Sequence, residues 1–159
     1  MGSRGGLGPA GVKLRLAIQG REGFSGLPTR ATLRRWVTLA LADTSRAEIT
    51  LRFAGTREVR RINRVFRRKD YATNVLSFVY TPAPALAADI VLCMPVIDRE
   101  AREQGKSRRA HLAHLVIHGV LHARGFDHLK PAEMRRMESL EIALLVSLRI
   151  CNPYDTVNR

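Results

Sequence analysis

A chain of 159 residues, 45% apolar and 26% charged, is typical of one globular domain, and no apolar run is long enough to cross a bilayer. The formal net charge is +13, and all but four of the 27 basic residues are arginine. Arginine pairs with phosphate through two hydrogen bonds and stacks on bases, so the charge favours a nucleic acid as partner. The alternative is a solvated surface in an arginine-rich composition. No membrane partner is expected, because no basic amphipathic anchor is present.

The chain is predicted to contain a disordered, glycine-rich extension, residues 1–11, and a single domain, residues 12–159. Two distant cysteines and the lack of an N-terminal apolar segment predict a reducing, cytoplasmic compartment. Apolar periodicity predicts strands that alternate with helices. The predicted strands are 12–19, 48–53, 74–80 and 89–94, and the predicted helices are 32–42, 56–69, 95–104, 108–123 and 131–148.

These elements predict an α+β fold, in which helices pack on a small mixed sheet of about four strands, with α/β as the alternative class. The order of the strands cannot be read from the sequence. The apolar run of the third strand, residues 75–79, argues against a solvent-facing edge position. The Pro/Ala segment 81–88 is predicted to be a loop.

Three histidines, spaced H-x3-H-x5-H, indicate a metal site. A separation of four residues places His118 and His122 on one face of a helix. Gly125 stands where a left-handed turn would end that helix and return the chain, so that His128 can face the other two. Three neutral imidazoles form an open transition-metal site, most often zinc, with room for water. The alternative is three unrelated surface histidines.

The spacing is close to that of the metzincin proteases, with one difference. Gly119 stands where those enzymes carry the glutamate that acts as general base. The predicted site therefore keeps its metal ligands but lacks the proton acceptor for peptide hydrolysis. His114, one turn before His118, is expected to pack beside a ligand or support it rather than bind metal, and His111 is expected on the helix surface. Asp127 either orients a histidine or caps the turn.

Residues 118–128 resemble the signature H-G-x-L-H-x-x-G-[YF]-D-H of the YbeY family of bacterial rRNA-maturation endoribonucleases. Residues 63–78 are similar to a second family block, N-x-x-[YF]-R-x-x-D-x-x-T-[DN]-V-L-S-F. A third, weaker block at residues 89–91 differs from the family at its first position, where Ala88 replaces a glycine.

The resemblance implies a zinc-dependent, single-strand-specific endoribonuclease that acts in 16S rRNA 3′-end maturation and ribosome quality control. Its partners would be RNA and the ribosome, with no DNA expected. His118, His122 and His128 would hold one zinc ion, and Arg67 would match the family's functionally required arginine.

The chemistry of the predicted site is consistent with this resemblance. Zinc lowers the pKa of bound water from about 15.7 to about 7, so hydroxide forms without a glutamate base. A nearby cation stabilises charge on the phosphoryl oxygens, and Arg67 is the candidate catalytic residue beside His118. The alternative for Arg67 is a surface arginine that complements a helix dipole. Whether water or the RNA 2′-hydroxyl attacks stays open.

Two other functions remain as alternatives. The first is a zinc metallohydrolase of another substrate class, such as a peptidase, which Gly119 disfavours. The second is a non-catalytic ribosome-assembly factor with a structural zinc. A structural zinc site usually has four protein ligands, and here only His114 or Asp127 could provide the fourth.

Overall fold

In a computed structural model, which describes residues 11–126 and 129–155, strands and helices alternate along much of the chain. The strands are β1 (Lys13–Gln19), β2 (Arg46–Ala54), β3 (Val75–Thr81) and β4 (Ala85–Cys93). The helices are α1 (Arg30–Leu39), α2 (Thr56–Arg67), α3 (Met94–Glu103), α4 (Arg108–Ala123) and α5 (Pro131–Ser147). The predicted extension, residues 1–11, falls almost wholly outside the described range.

The four strands form one mixed sheet in the order β1-β2-β4-β3. β1, β2 and β4 run parallel, and β3 pairs antiparallel with β4. Ile49 of β2 lies opposite Leu16 of β1 and Ala88 of β4, which fixes the register across the centre of the sheet. This sheet and its helices confirm the predicted α+β fold.

The predictions for β3 and for the segment after it were wrong in two respects. β3 lies at the edge of the sheet, and β4 begins at Ala85, within the predicted loop. The apolar strand can occupy the edge because α2 and α4 provide hydrogen-bond partners for its polar groups. The Arg67 guanidinium donates to the Ser77 carbonyl oxygen at 2.7 Å, and the Ser77 hydroxyl donates to the Gly119 carbonyl oxygen at 2.9 Å. The alanines that open β4 pair with β2, a tertiary contact that overrides their weak strand propensity.

Helices cover the two faces of the sheet unequally. The larger core includes residues of α1, α4 and α5, and Trp36 of α1 is 2% exposed there. A smaller cluster joins Val59 of α2 and Val96 of α3 to Leu76 and Val91 of the sheet. α2 and α4 therefore pack on different sides of the sheet. No helix in the described part of the chain is both long and apolar enough to span a membrane.

α4 has the predicted bounds, and identifiable caps set them. The Ser107 hydroxyl accepts from the Ala110 amide at 3.0 Å, which satisfies one of the free amides at the helix start. At the other end, Gly125 adopts the expected left-handed conformation, with a φ of 100°. Ten of the 16 residues of α4 are buried, and the helix packs against β3, β4 and three helices, which sets the direction in which its histidines project.

Candidate functional site

A cavity of about 170 Å³ lies beside the outer edge of β3. Its lining includes Arg67 from the end of α2 and both His118 and His122 from α4. These are three of the four residues that the sequence predicted to act in the chemistry. The remaining lining residues are Asn63, Lys69, Tyr71, Thr73, Val75, Leu76 and Ser77. The fourth predicted residue, His128, lies outside the described residues, as does Asp127.

The two histidines present one face of α4 to this cavity. The rings of His118 and His122 are parallel within 5°, and their centroids are 6.4 Å apart. Nδ1 of His122 lies 3.1 Å from the Phe126 carbonyl oxygen, and Nδ1 of His118 lies 2.5 Å from Oε1 of Glu141. A carbonyl oxygen or an ionised carboxylate can only accept, so both Nδ1 atoms donate. In a neutral imidazole this leaves the lone pair on Nε2, the tautomer that suits a metal ligand.

Glu141 is a buried carboxylate that the sequence analysis missed. It lies on α5, is 0% exposed, and accepts hydrogen bonds from three side chains. Besides His118, these are the ring of His114, whose Nε2 is 2.7 Å away, and the hydroxyl of Tyr154. A signal for it was present, because Met137, Glu141 and Leu145 recur at helical spacing and all three are buried. A charged residue in such an apolar stripe requires partners.

The electrostatics of this group favour a cation beside it. Burial alone would raise the pKa of Glu141, but hydrogen bonds from His114, His118 and Tyr154 lower it to about 2. The carboxylate is therefore ionised at neutral pH. Burial, together with Glu141, raises the pKa of the Tyr154 hydroxyl, which stays protonated and donates. An anion behind His118 increases the basicity of that ring toward a metal.

The donor set is compatible with a metal cofactor. Within the described ranges, His114, His118 and Glu141 form a group whose potential ligand atoms all lie within 4.8 Å of one another. The distances from Glu141 to the two rings, 2.5 and 2.7 Å, are hydrogen-bond lengths. Two ligands of one tetrahedral zinc lie roughly 3.3 Å apart, given zinc–ligand bonds of about 2 Å. This geometry favours Glu141 as the partner that orients the rings, with His118 directing its other nitrogen to an ion.

The other two histidines of α4 are both paired with glutamates. The hydrogen bond of His114 to Glu141 agrees with its expected supporting position. His111 was expected on the helix surface, and this was wrong. It is 3% exposed, and its Nε2 lies 3.0 Å from Oε1 of Glu100, because α3 packs over the first half of α4. Burial lowers the pKa of His111, partly opposed by Glu100.

Arg67 ends α2 but does more than complement the helix dipole. Its guanidinium donates to the Ser77 carbonyl oxygen at the edge of β3. The same group lies over the Phe78 ring, 5.2 Å from the ring centroid. These two contacts hold the cation in the wall of the cavity that also contains His118.

Gly119 faces the sheet and not the cavity. A Cβ atom built on it would lie 2.7 Å from Cγ2 of Ile90 and 3.2 Å from Cγ2 of Val75. The glycine therefore lets α4 approach β3 and β4 closely enough to place His118 at the strand edge. It also means that a glutamate at this position would point into packed side chains.

We expect Gly119→Ala to destabilise the fold by roughly 1–2 kcal/mol, since the overpacking outweighs the gain in helix propensity. Chemical denaturation measures this change. Gly23→Ala is the matched control, because a Cβ there meets nothing within 4 Å, and its effect should be within about 0.5 kcal/mol. A Gly119→Ala variant as stable as the original protein would contradict the close packing of α4.

Comparisons with known proteins agree on one family. The family model described as Endoribonuclease YbeY matches residues 25–149. A relative named Endoribonuclease YbeY, from Aromatoleum aromaticum, is 51% identical over 148 residues, which cover 91% of this chain and 95% of the relative. Another of the same name, from Thiobacillus denitrificans, is 49% identical over 146 residues, covering 91% and 98%.

A solved structure supports the fold. A solution structure from Thermotoga maritima matches with a TM-score of 0.58 and covers 91% of this chain and 98% of that one. The two sequences are 20% identical, so this likeness concerns the arrangement of strands and helices alone.

Proposed function

Because the chain belongs to the Endoribonuclease YbeY family, we propose that it cleaves RNA by metal-dependent chemistry in the cavity beside β3. Membership confirms the resemblance predicted from the two sequence blocks. The observation that supports this site most is the meeting of Arg67 with His118 and His122 in one cavity. They come from helices on different sides of the sheet, and the edge strand β3 lies between them.

His118, His122 and His128 would hold the ion, which we propose to be a single Zn²⁺. Three imidazole nitrogens suit zinc among the common metals, and three protein ligands leave a coordination position for water or substrate. When bound, such an ion supplies a reactive hydroxide near neutral pH and polarises a phosphoryl oxygen. The spacing of His128 after Gly125 supports its inclusion.

The chain's own residues have separable tasks in this proposal. Arg67 binds the non-bridging phosphoryl oxygens, whose negative charge grows during cleavage. Glu141 keeps the proton of His118 on Nδ1 and so fixes the orientation of the ring. Gly119 provides no base, which disfavours the peptidase alternative.

The substrate is proposed to be single-stranded RNA, and the place of action the 3′ end of 16S rRNA in the cytoplasm. A net charge of +13 supports a polyanionic partner. The sequence blocks shared with the YbeY family support ribosomal RNA in particular.

Metal removal tests the proposal directly. Protein stripped with a chelator and verified by elemental analysis should lose cleavage of a single-stranded RNA oligomer, and one equivalent of Zn²⁺ should restore it. Mapping of rRNA 3′ ends in cells lacking the protein tests the substrate. Cleavage at the native rate by metal-free protein would refute the metal's role. Hydrolysis of a fluorogenic peptide by the zinc form would instead favour the peptidase.

Arg67→Ala is expected to lower kcat for RNA cleavage by roughly 10²–10³-fold while metal content is unchanged, since it removes one preorganised cation from the cavity. Single-turnover cleavage rates and elemental analysis measure both. Arg64→Ala is the matched control at saturating RNA, where weaker binding does not lower kcat, because Arg64 also lies in the last turn of α2 but does not line the cavity. An equal loss of kcat in the two variants would show that Arg67 acts only through its general charge or through the helix dipole.

A further inference from the structure

Two large aromatic rings are exposed beside the cavity. Phe66, next to Arg67 in the chain, is 67% exposed, and Tyr71, which lines the cavity, is 54% exposed. Exposed apolar surface concentrated at one place marks an interaction site more often than scattered single residues do.

Contacts within the fold support the Phe66 ring and the backbone that carries Tyr71. Phe66 packs edge-to-face on Phe78, with ring centroids 5.6 Å apart, and the Arg67 guanidinium lies over the same Phe78 ring. The Asn63 side chain donates to the Tyr71 carbonyl oxygen at 2.8 Å and so ties Tyr71 to α2. The rings are thus presented from a supported segment, which reduces the entropy that a ligand must overcome to order them.

The charge around the rings is positive. Over residues 56–73 the acidic side chains, Glu58 and Asp70, are each paired with an arginine. The arginine paired with Asp70 lowers the pKa of that carboxyl, and Arg64 lies near enough to lower it as well. The exposed cations of the segment outside these two pairs are Arg57, Arg61, Arg64, Arg67, Arg68 and Lys69. Aromatic rings among cations are the combination that binds single-stranded nucleic acid, because bases stack on the rings while phosphates meet the charges.

The cavity is large enough for a phosphate group but too small to enclose the neighbouring bases as well. At about 170 Å³ it is smaller than the pockets of roughly 300–1,000 Å³ that enclose drug-sized ligands. It suits the scissile phosphodiester, and the flanking bases must then lie outside it, where Phe66 and Tyr71 are exposed.

Resting on the proposed function, we propose that Phe66 and Tyr71 form a stacking surface for unpaired bases that flank the cleaved phosphodiester. This surface selects single strands, because the faces of bases inside a duplex are covered by neighbouring base pairs, whereas an unpaired base can turn a face toward a ring.

The test is the affinity of metal-free protein in EDTA for a fluorescent, fully 2′-O-methylated RNA oligomer, measured by anisotropy at several salt concentrations. Phe66→Leu and Tyr71→Leu keep apolar bulk but remove the aromatic face. Each should weaken binding roughly tenfold with an unchanged salt slope, while Phe66→Tyr should keep the affinity. Arg64→Ala should instead lower the salt slope by about one.

Val65→Ala is the matched control, because it trims an equally exposed apolar neighbour on the same helix without touching an aromatic face. Thermal melting checks that every variant is folded. Affinities of both leucine variants within about twofold of the original would overturn the proposal, as would an equal loss for an RNA duplex. Unchanged RNA affinity with altered self-association in sedimentation would assign the rings to a protein interface instead.

The binding assay and the cleavage assay can fail separately. Protein that binds the oligomer through the two rings but shows no cleavage after zinc is added would refute the proposed nuclease activity and leave the stacking surface intact. Metal-dependent cleavage by a protein whose RNA affinity does not depend on the two rings would refute the stacking surface and leave the nuclease activity intact.

Discussion

Replacing His118 with alanine is expected to abolish metal binding and RNA cleavage together while the protein stays folded. His118 lines the cavity, and its Nδ1 is committed to the buried carboxylate of Glu141, so its Nε2 is the nitrogen suited to an ion. Loss of one of three ligands leaves too few donors for a catalytic zinc site. Elemental analysis after dialysis should show almost no metal per protein molecule, and cleavage should fall by several orders of magnitude.

His111→Gln provides the matched control on the same helix. It removes another imidazole, two turns earlier, whose partner is Glu100 and which does not line the cavity. This variant should keep its metal and its cleavage rate, with some loss of stability because the residue is buried. A full equivalent of tightly bound metal in His118→Ala, confirmed in a folded sample, would contradict the role of His118 as a ligand.

Glu141→Ala is expected to destabilise the protein by about 3–5 kcal/mol, because an unsatisfied buried donor costs roughly 1–3 kcal/mol and this carboxylate accepts from several. The three groups that donate to this carboxylate, His114, His118 and Tyr154, would each lose their acceptor. Chemical denaturation of the metal-free protein measures the change without any contribution from a bound ion.

The Glu141→Gln variant separates the effect of Glu141 on protein stability from its effect on the orientation of the His118 ring. Its amide keeps one acceptor oxygen but turns the second into a donor group, so the two rings can no longer both donate to it. We expect a folded protein whose metal affinity is lower by roughly 10–100-fold, measured by competition with a chromophoric chelator. Nitrogen chemical shifts of the His118 ring in the metal-free protein should show a changed tautomer.

Glu133→Gln, at an exposed position in the first turn of the same helix, should alter neither metal affinity nor the tautomer of His118. If Glu141→Gln also leaves both unchanged, the buried carboxylate would be a packing feature alone.

Several properties of this protein follow from local sequence. The bounds of α4 agree with the prediction because the residues that set them, the N-cap Ser107 and the left-handed Gly125, are themselves local. A separation of four residues is enough to put His118 and His122 on one helix face, where their rings stack. β1 and β2 were recognisable because period-two alternation directly records which residues face the core.

Tertiary structure decided the remaining features, because they depend on contacts between segments distant in the chain. Glu141 meets His118 across 23 positions only once α5 packs on α4. Gly119 is required by the side chains of Ile90 and Val75, which no periodicity in α4 could reveal. β3 tolerates the edge of the sheet because Arg67 and α4 satisfy its polar groups, a solution that strand composition does not encode.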